Sequence, residues 1–262
     1  MKKALLIFLF ISSAFMGHSN INNNENLNAK DFSIIDISQQ LLLAAKTKEP
    51  TDSLLGVIKS ISGQQLQAEL INDDYRKAFW INLYNAYTQV LLSKNPDKYK
   101  SRNSFFGDRI IEIAGQNLSL DIIEHGLLRR SKVKWSLGYI NKFFPSAFEK
   151  ENRVKSVDYR IHFALNCGAK SCPPIAFYQP AQINKQLDLA TKAYLNGDAE
   201  YDEAKNELSL PAIMGWFRGD FGGKKKMIEL VKKLEIVPAN KNPKVNFSKY
   251  DWNLFLENYK TE

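Results

Sequence analysis

The chain is poor in the residues that carry most enzyme chemistry: 262 residues hold three histidines and two cysteines. Both cysteines, Cys167 and Cys172, stand in one stretch, HFALNCGAKSCPP. Neither is near the N-terminus, which excludes a lipid anchor on an N-terminal thiol. Four residues separate them, where a dithiol oxidoreductase motif has two, and with His162 they fit no common zinc spacing. No metal site and no cofactor are therefore expected. No internal repeat is visible. No nucleic-acid-binding motif accompanies the net charge of +8, so nucleic acid is not an expected partner.

Long apolar runs are also missing. ALLIFLFISSAFM, residues 4–16, falls short of the roughly 20 residues that span a bilayer. It follows Met1-Lys2-Lys3 and precedes Gly17-His18-Ser19, with small residues where a signal peptidase inspects the chain. The pattern predicts a signal peptide over residues 1–19 and an exported protein, periplasmic or secreted, with no transmembrane segment after cleavage. Cleavage removes Lys2, Lys3 and His18. Basic residues then fall from 36 to 34 against 28 acidic ones, a net charge of +6, and His125 and His162 are the only imidazoles left. A positive protein outside the cytoplasm meets anionic envelope surfaces or acidic peptides. The clusters Lys224-Lys225-Lys226 and Lys232-Lys233 read as the solvated face of a helix.

What is present is a core: 44% of the residues are hydrophobic. An Asn-rich leader, residues 20–30, has almost nothing to bury, and one globular domain is expected over residues 31–262. Apolar spacing predicts helices over residues 32–46, 73–94 and 182–195, and a short one over 212–217 opened by Pro211. The helix over 73–94 is apolar nearly all round, yet carries Asn82, Asn85 and Gln89 on one face. RIIEIAGQNLSL reads as a hairpin, and a second is expected around Lys205-Asn206. SLDIIEHGLLRR begins a helix capped by Ser119, and RIHFALN alternates as a strand with His162 and Asn166 on one face. The fold class is α+β, a mainly helical single domain with short antiparallel strands.

The blocks FWINLYNAYT, LSLDIIEHGLLRR, RIHFALNCGAKSCPP, IMGWFRGDF and YDWN, within residues 75–253, resemble the signature blocks of the domain of unknown function 547 family, in that family's order. The resemblance covers roughly two thirds of the chain after the signal. It transfers no activity. It implies that the polar members of the blocks (Asn82, Asn85, Asp121, Glu124, His125, Arg160, His162, Asn166, Cys167 and Cys172) come together in space.

Two chemistries compete for those residues. In a thiol hydrolase or acyl transferase acting on an amide or ester, Cys167 is the nucleophile and His125 or His162 the base. Asp121 or an Asn orients the imidazole, Glu124 is an acid, and the turn Gly168-Ala169-Lys170 offers anion-binding backbone donors, with Lys170 lowering the thiol pKa. In the other reading Cys167 and Cys172 form a disulfide, as an oxidising compartment favours, and the protein is a non-catalytic envelope module for a small or peptide-like ligand. Asn82, Asn85, Arg160, Asn166 and Lys170 are then the binding candidates. Trp80, Trp216 and Trp252 are either a ligand platform or core.

Overall fold

A computed structural model describes residues 32–260. The expected signal peptide and Asn-rich leader lie outside the described residues. The architecture is α+β and mainly helical, as the sequence pattern indicates.

Its spine is the helix Asp73–Lys94, here α4, which follows α1 (Ile34–Thr47), α2 (Asp52–Ser60) and α3 (Gly63–Glu69). Asn72 caps α4 by accepting the backbone N–H groups of Asp74 and Tyr75, and the two acidic residues of the first turn suit the positive end of the helix dipole. The helix stops at Asn95, before Pro96, whose ring disfavours a helical residue ahead of it. Every residue from Lys77 to Val90 is buried. α1 lies along α4, and β1 (Ile111–Ile113) and β2 (Gln116–Leu118) form the expected hairpin, turning through Ala114 and Gly115 at φ 51° and 69°. Ile111, Ile113 and Leu118 join the core of α1, α2 and α4.

Beyond two short helices, α5 (Arg102–Gly107) and α6 (Ala147–Asn152), a second, smaller core lies where α7 (Ile183–Asp198) leads into the β3–β4 hairpin (Glu200–Asp202 and Glu207–Leu210). The helices named α8 (Ala212–Trp216) and α9 (Gly223–Lys233) follow, and β5 (Lys244–Phe247) returns to pair parallel with β4. Hairpin signals do not announce this parallel pair, because its partners are far apart in sequence and meet only after α8 and α9 have packed.

The strand expected over residues 160–166 does not form. Asp158 accepts the backbone N–H of Arg160 and binds its guanidinium at 2.9 and 2.7 Å, which closes a 3₁₀ turn over Tyr159–Phe163. Ile161, His162 and Phe163 are all buried, so the alternation seen in the letters is not an alternation of faces.

The C-terminal segment is laid against the loop after that turn. Lys170 donates to the Asn253 carbonyl, Phe255 to Gly168, Ile175 to Asn258 and Lys260 to Ile175. This strap brings Tyr250 to the cysteines.

Candidate functional site

Between the two cores lies a cavity of about 500 Å³. Asp121, Glu124, His125, His162 and Cys167 all line it, so the five residues expected to carry chemistry do meet. Three elements bring them there.

The first follows Ser119, whose hydroxyl accepts the N–H of Ile122. The helix then widens into a π-helical segment, Ile122–Leu128, in which Arg129 N–H reaches the Glu124 carbonyl five residues back at 2.8 Å. Such segments spread side chains that an α-helix would stack, and often mark functional sites. Glu124 has only long contacts among the described residues, 3.4 Å from the Tyr84 hydroxyl and 3.6 Å from His125 Nδ1. Burial, together with the negative charge of Asp121 and against the pull of Arg129, raises its carboxyl to about 7. His125 Nδ1 lies 2.8 Å from Arg129 Nη1. A guanidinium can only donate, so Nδ1 accepts and the ring proton sits on Nε2, 3.6 Å from Asp121. Burial and the Arg129 charge hold this imidazole well below its usual pKa. It is therefore a neutral hydrogen-bond donor and not the free base the sequence suggested. Asp121 is held by Lys134 at 2.7 Å.

The second element is the turn carrying His162. Its Nε2 lies 2.9 Å from Asp220 Oδ2, and its ring stacks on Phe217 at 3.9 Å between centroids. Asp220 also takes Arg129 Nε at 2.6 Å, so one carboxylate ties both histidines together through Arg129. Burial alone would raise the Asp220 pKa, but the bonds from His162 and Arg129 outweigh it and hold it low. Asp220 sits in an Arg-Gly-Asp triplet that looks accidental in sequence, and nothing local marks it as the partner of residues 58 and 91 positions away.

The third element is the cysteine loop. The disulfide expected between Cys167 and Cys172 is not formed; both are free, with their sulfurs 2.7 Å apart, beyond the roughly 2.05 Å of a covalent bond. Tyr250 approaches them at 3.4 and 3.1 Å. The hydrogen bond from Cys172, opposed by burial and helped by Tyr250 and the Ala169 N–H, lowers the Cys167 thiol to about 7. Burial raises that of Cys172. Among the described residues no hydrogen bond joins Cys167 to either histidine. The turn after Cys167 is not an open anion nest either: Gly168 N–H goes to Asn166 and Lys170 N–H to Asn253. Gly168 is at φ +84°, and a Cβ there would come within 2.8 Å of Leu92, so a side chain next to the thiol is excluded twice over.

The binding candidates fall elsewhere. Asn82 bonds both backbone groups of Tyr178, Asn85 the Ala164 carbonyl and the Asn166 N–H, and Asn166 the Pro173 carbonyl and the Gly168 N–H. Arg160 is occupied by Asp158, Asp188 and Asn184 beside a separate polar groove. Lys170 is exposed and is not in the cavity wall. Trp80 is core, whereas Trp216 and Trp252 stack at 5.4 Å in the cavity wall.

Residues 68–195 match the model of a family described as protein of unknown function, DUF547. The chain belongs to the DUF547 family. The DUF547 match spans α4, the π-helical segment and the cysteine loop, and ends before Trp216 and Tyr250, which line the cavity, and before Asp220, which holds His162 from behind. No match was found among curated proteins, and none among solved structures.

Proposed function

We propose that the protein is a cysteine-dependent hydrolase or acyl transferase acting on an amide or ester. The observation that carries this reading is a thiol held near 7 in the same cavity wall as a carboxyl held near 7. At neutral pH both groups populate both protonation states, as nucleophile and proton carrier require.

The Cys167 thiolate adds to the carbonyl carbon. The bond to the leaving nitrogen or oxygen breaks as that atom takes the Glu124 proton, leaving a thioester and a carboxylate. Water, or an acceptor hydroxyl or amine, then gives its proton to Glu124 as its oxygen or nitrogen adds to the thioester. The C–S bond breaks and the thiolate returns. His125, neutral with its proton on Nε2, is the donor suited to the developing oxyanion. Export through residues 1–19 belongs to the same proposal and puts the substrate outside the cytoplasm.

Incubation with p-nitrophenyl acyl esters and mass spectrometry of the quenched protein test it. An acyl group on Cys167, lost in Cys167→Ser together with turnover, is expected. Retained ligand binding with no adduct on any variant would leave a binding module and sink the enzyme.

A further inference from the structure

Among the described residues, a cluster of exposed large apolar side chains lies on the loop between the π-helical segment and the helix α6 (Ala147–Asn152). Trp135 is 78% exposed, Tyr139 58%, Phe143 86% and Phe144 96%, with Leu137 and Ile140 exposed beside them. Side chains of this size seldom stand in water together without a partner.

The loop is built, not frayed. Lys132 and Asn141 form an antiparallel bridge, Val133 N–H bonds the Ile140 carbonyl at 2.9 Å, and the Ser136 hydroxyl accepts the Ile140 N–H. Its tip is fixed to the body where Gly138 and Gly219 meet backbone to backbone. A Cβ on Gly219 would fall 2.5 Å from the Gly138 carbonyl carbon, and Gly219 N–H bonds the Leu137 carbonyl at 2.6 Å.

Charge selects the occupant. Residues 130–148 contain Arg130, Lys132, Lys134 and Lys142 and no acidic residue. Lys134 and Lys142 are paired with Asp121 and Glu149 from outside the loop. Tyr139 reaches the start of α9, its hydroxyl 3.8 Å from where a Cβ on Gly223 would lie, and the exposed Lys224, Lys225 and Lys226 follow there. Exposed Trp, Tyr and Phe inside a basic rim suit the interface of an anionic bilayer, where rings enter the headgroup layer and cations meet lipid phosphates. A second copy of the chain would set like charges against each other across the same patch.

We infer that the loop over residues 130–144 docks the protein on an anionic lipid bilayer. Trp135 and Leu137 also line the cavity, so docking turns its mouth towards the lipid surface. The inference does not depend on the thiol chemistry. Among the described residues no helix is long and apolar enough to cross a membrane.

The test uses the full chain and vesicles of phosphatidylcholine alone or mixed equally with phosphatidylglycerol. Sedimentation with the mixed vesicles, weakened by salt, is expected, and the double variant Phe143→Ser/Phe144→Ser binds roughly 100-fold more weakly. Brominated acyl chains should quench tryptophan emission, and Trp135→Phe should abolish that quenching. If the double variant binds unchanged and Trp135 is not quenched, attachment runs through residues 4–16 and the inference fails. It fails equally if the protein ignores vesicles, whether it self-associates, captures an acidic protein through this patch or does neither.

Discussion

The interior holds two kinds of buried polar group, a few residues apart. On α4, Asn82 and Asn85, with Asn166 in the loop opposite, use both ends of each amide on backbone groups that water cannot reach. In the cavity wall, Glu124 has only long contacts, at 3.4 Å to the Tyr84 hydroxyl and 3.6 Å to His125 Nδ1, and the polar neighbours of the Cys167 thiol among the described residues are sulfur, phenol and amide. The amides are satisfied and change nothing when the pH changes. The carboxyl and thiol are left with unused capacity, and burial and neighbours move their pKa values to where protons are exchanged at neutral pH. A fully bonded polar group holds the chain; an underbonded titratable one can react.

The sharpest way to break this contrast is Asn85→Ala. It strands the Ala164 carbonyl and the Asn166 N–H in the core, and at roughly 1–3 kcal/mol for each orphaned group the loss is about 4 kcal/mol, read as a lower urea midpoint. An unchanged midpoint would mean the amide is not a clip. Glu124→Gln should do the reverse. The folded-state pKa of about 7 lies above the ordinary carboxylate value of 4.5, so the fold favours the protonated form. Stability contributed by that proton is complete below about pH 4.5 and is lost as the pH rises through 7. The variant matches the native chain at low pH and exceeds it by up to about 3 kcal/mol at pH 8, at about 1.4 kcal/mol per unit. Parallel stability curves from pH 4 to 8 would show that Glu124 is an ordinary carboxylate. The smallest effect belongs to Cys172→Ala. Alkylation of Cys167 by iodoacetamide should have a midpoint near pH 7 in the native chain, and loss of the Cys172 hydrogen bond should raise it by about one unit. A midpoint that stays put would assign the activation to Tyr250 and the Ala169 amide.

Much of the scaffold is legible in the letters because it depends on neighbours in sequence. α4 begins at its Asn72 cap and ends at Asn95 before Pro96, and the hairpins follow their turn residues. The segment over residues 160–166 misleads, since one Asp–Arg lock at its start overrides an alternating pattern. Five site residues were visible as reactive types in shared blocks, but the same reasoning gathered in the amides, whose work is structural. Tyr84, Arg129 and Tyr250 carried no local signal as parts of the site. Tyr84 looks like core, Arg129 like a charge at a helix end, and Tyr250 reaches the thiols only because the last segment is strapped to the cysteine loop.

By itself the sequence determined the helical spine, the two hairpins and the shortage of imidazoles that makes each remaining histidine matter, because these follow from local spacing and from counting. Only the tertiary structure decided which way each proton points. Arg129 fixes the tautomer of His125, Asp220 takes His162 away from the thiol, and Cys172 with Tyr250, not an imidazole, lowers the pKa of the Cys167 thiol. These are pair interactions between distant residues inside a dry wall, where a few ångströms and the loss of water set the chemistry and spacing along the chain does not.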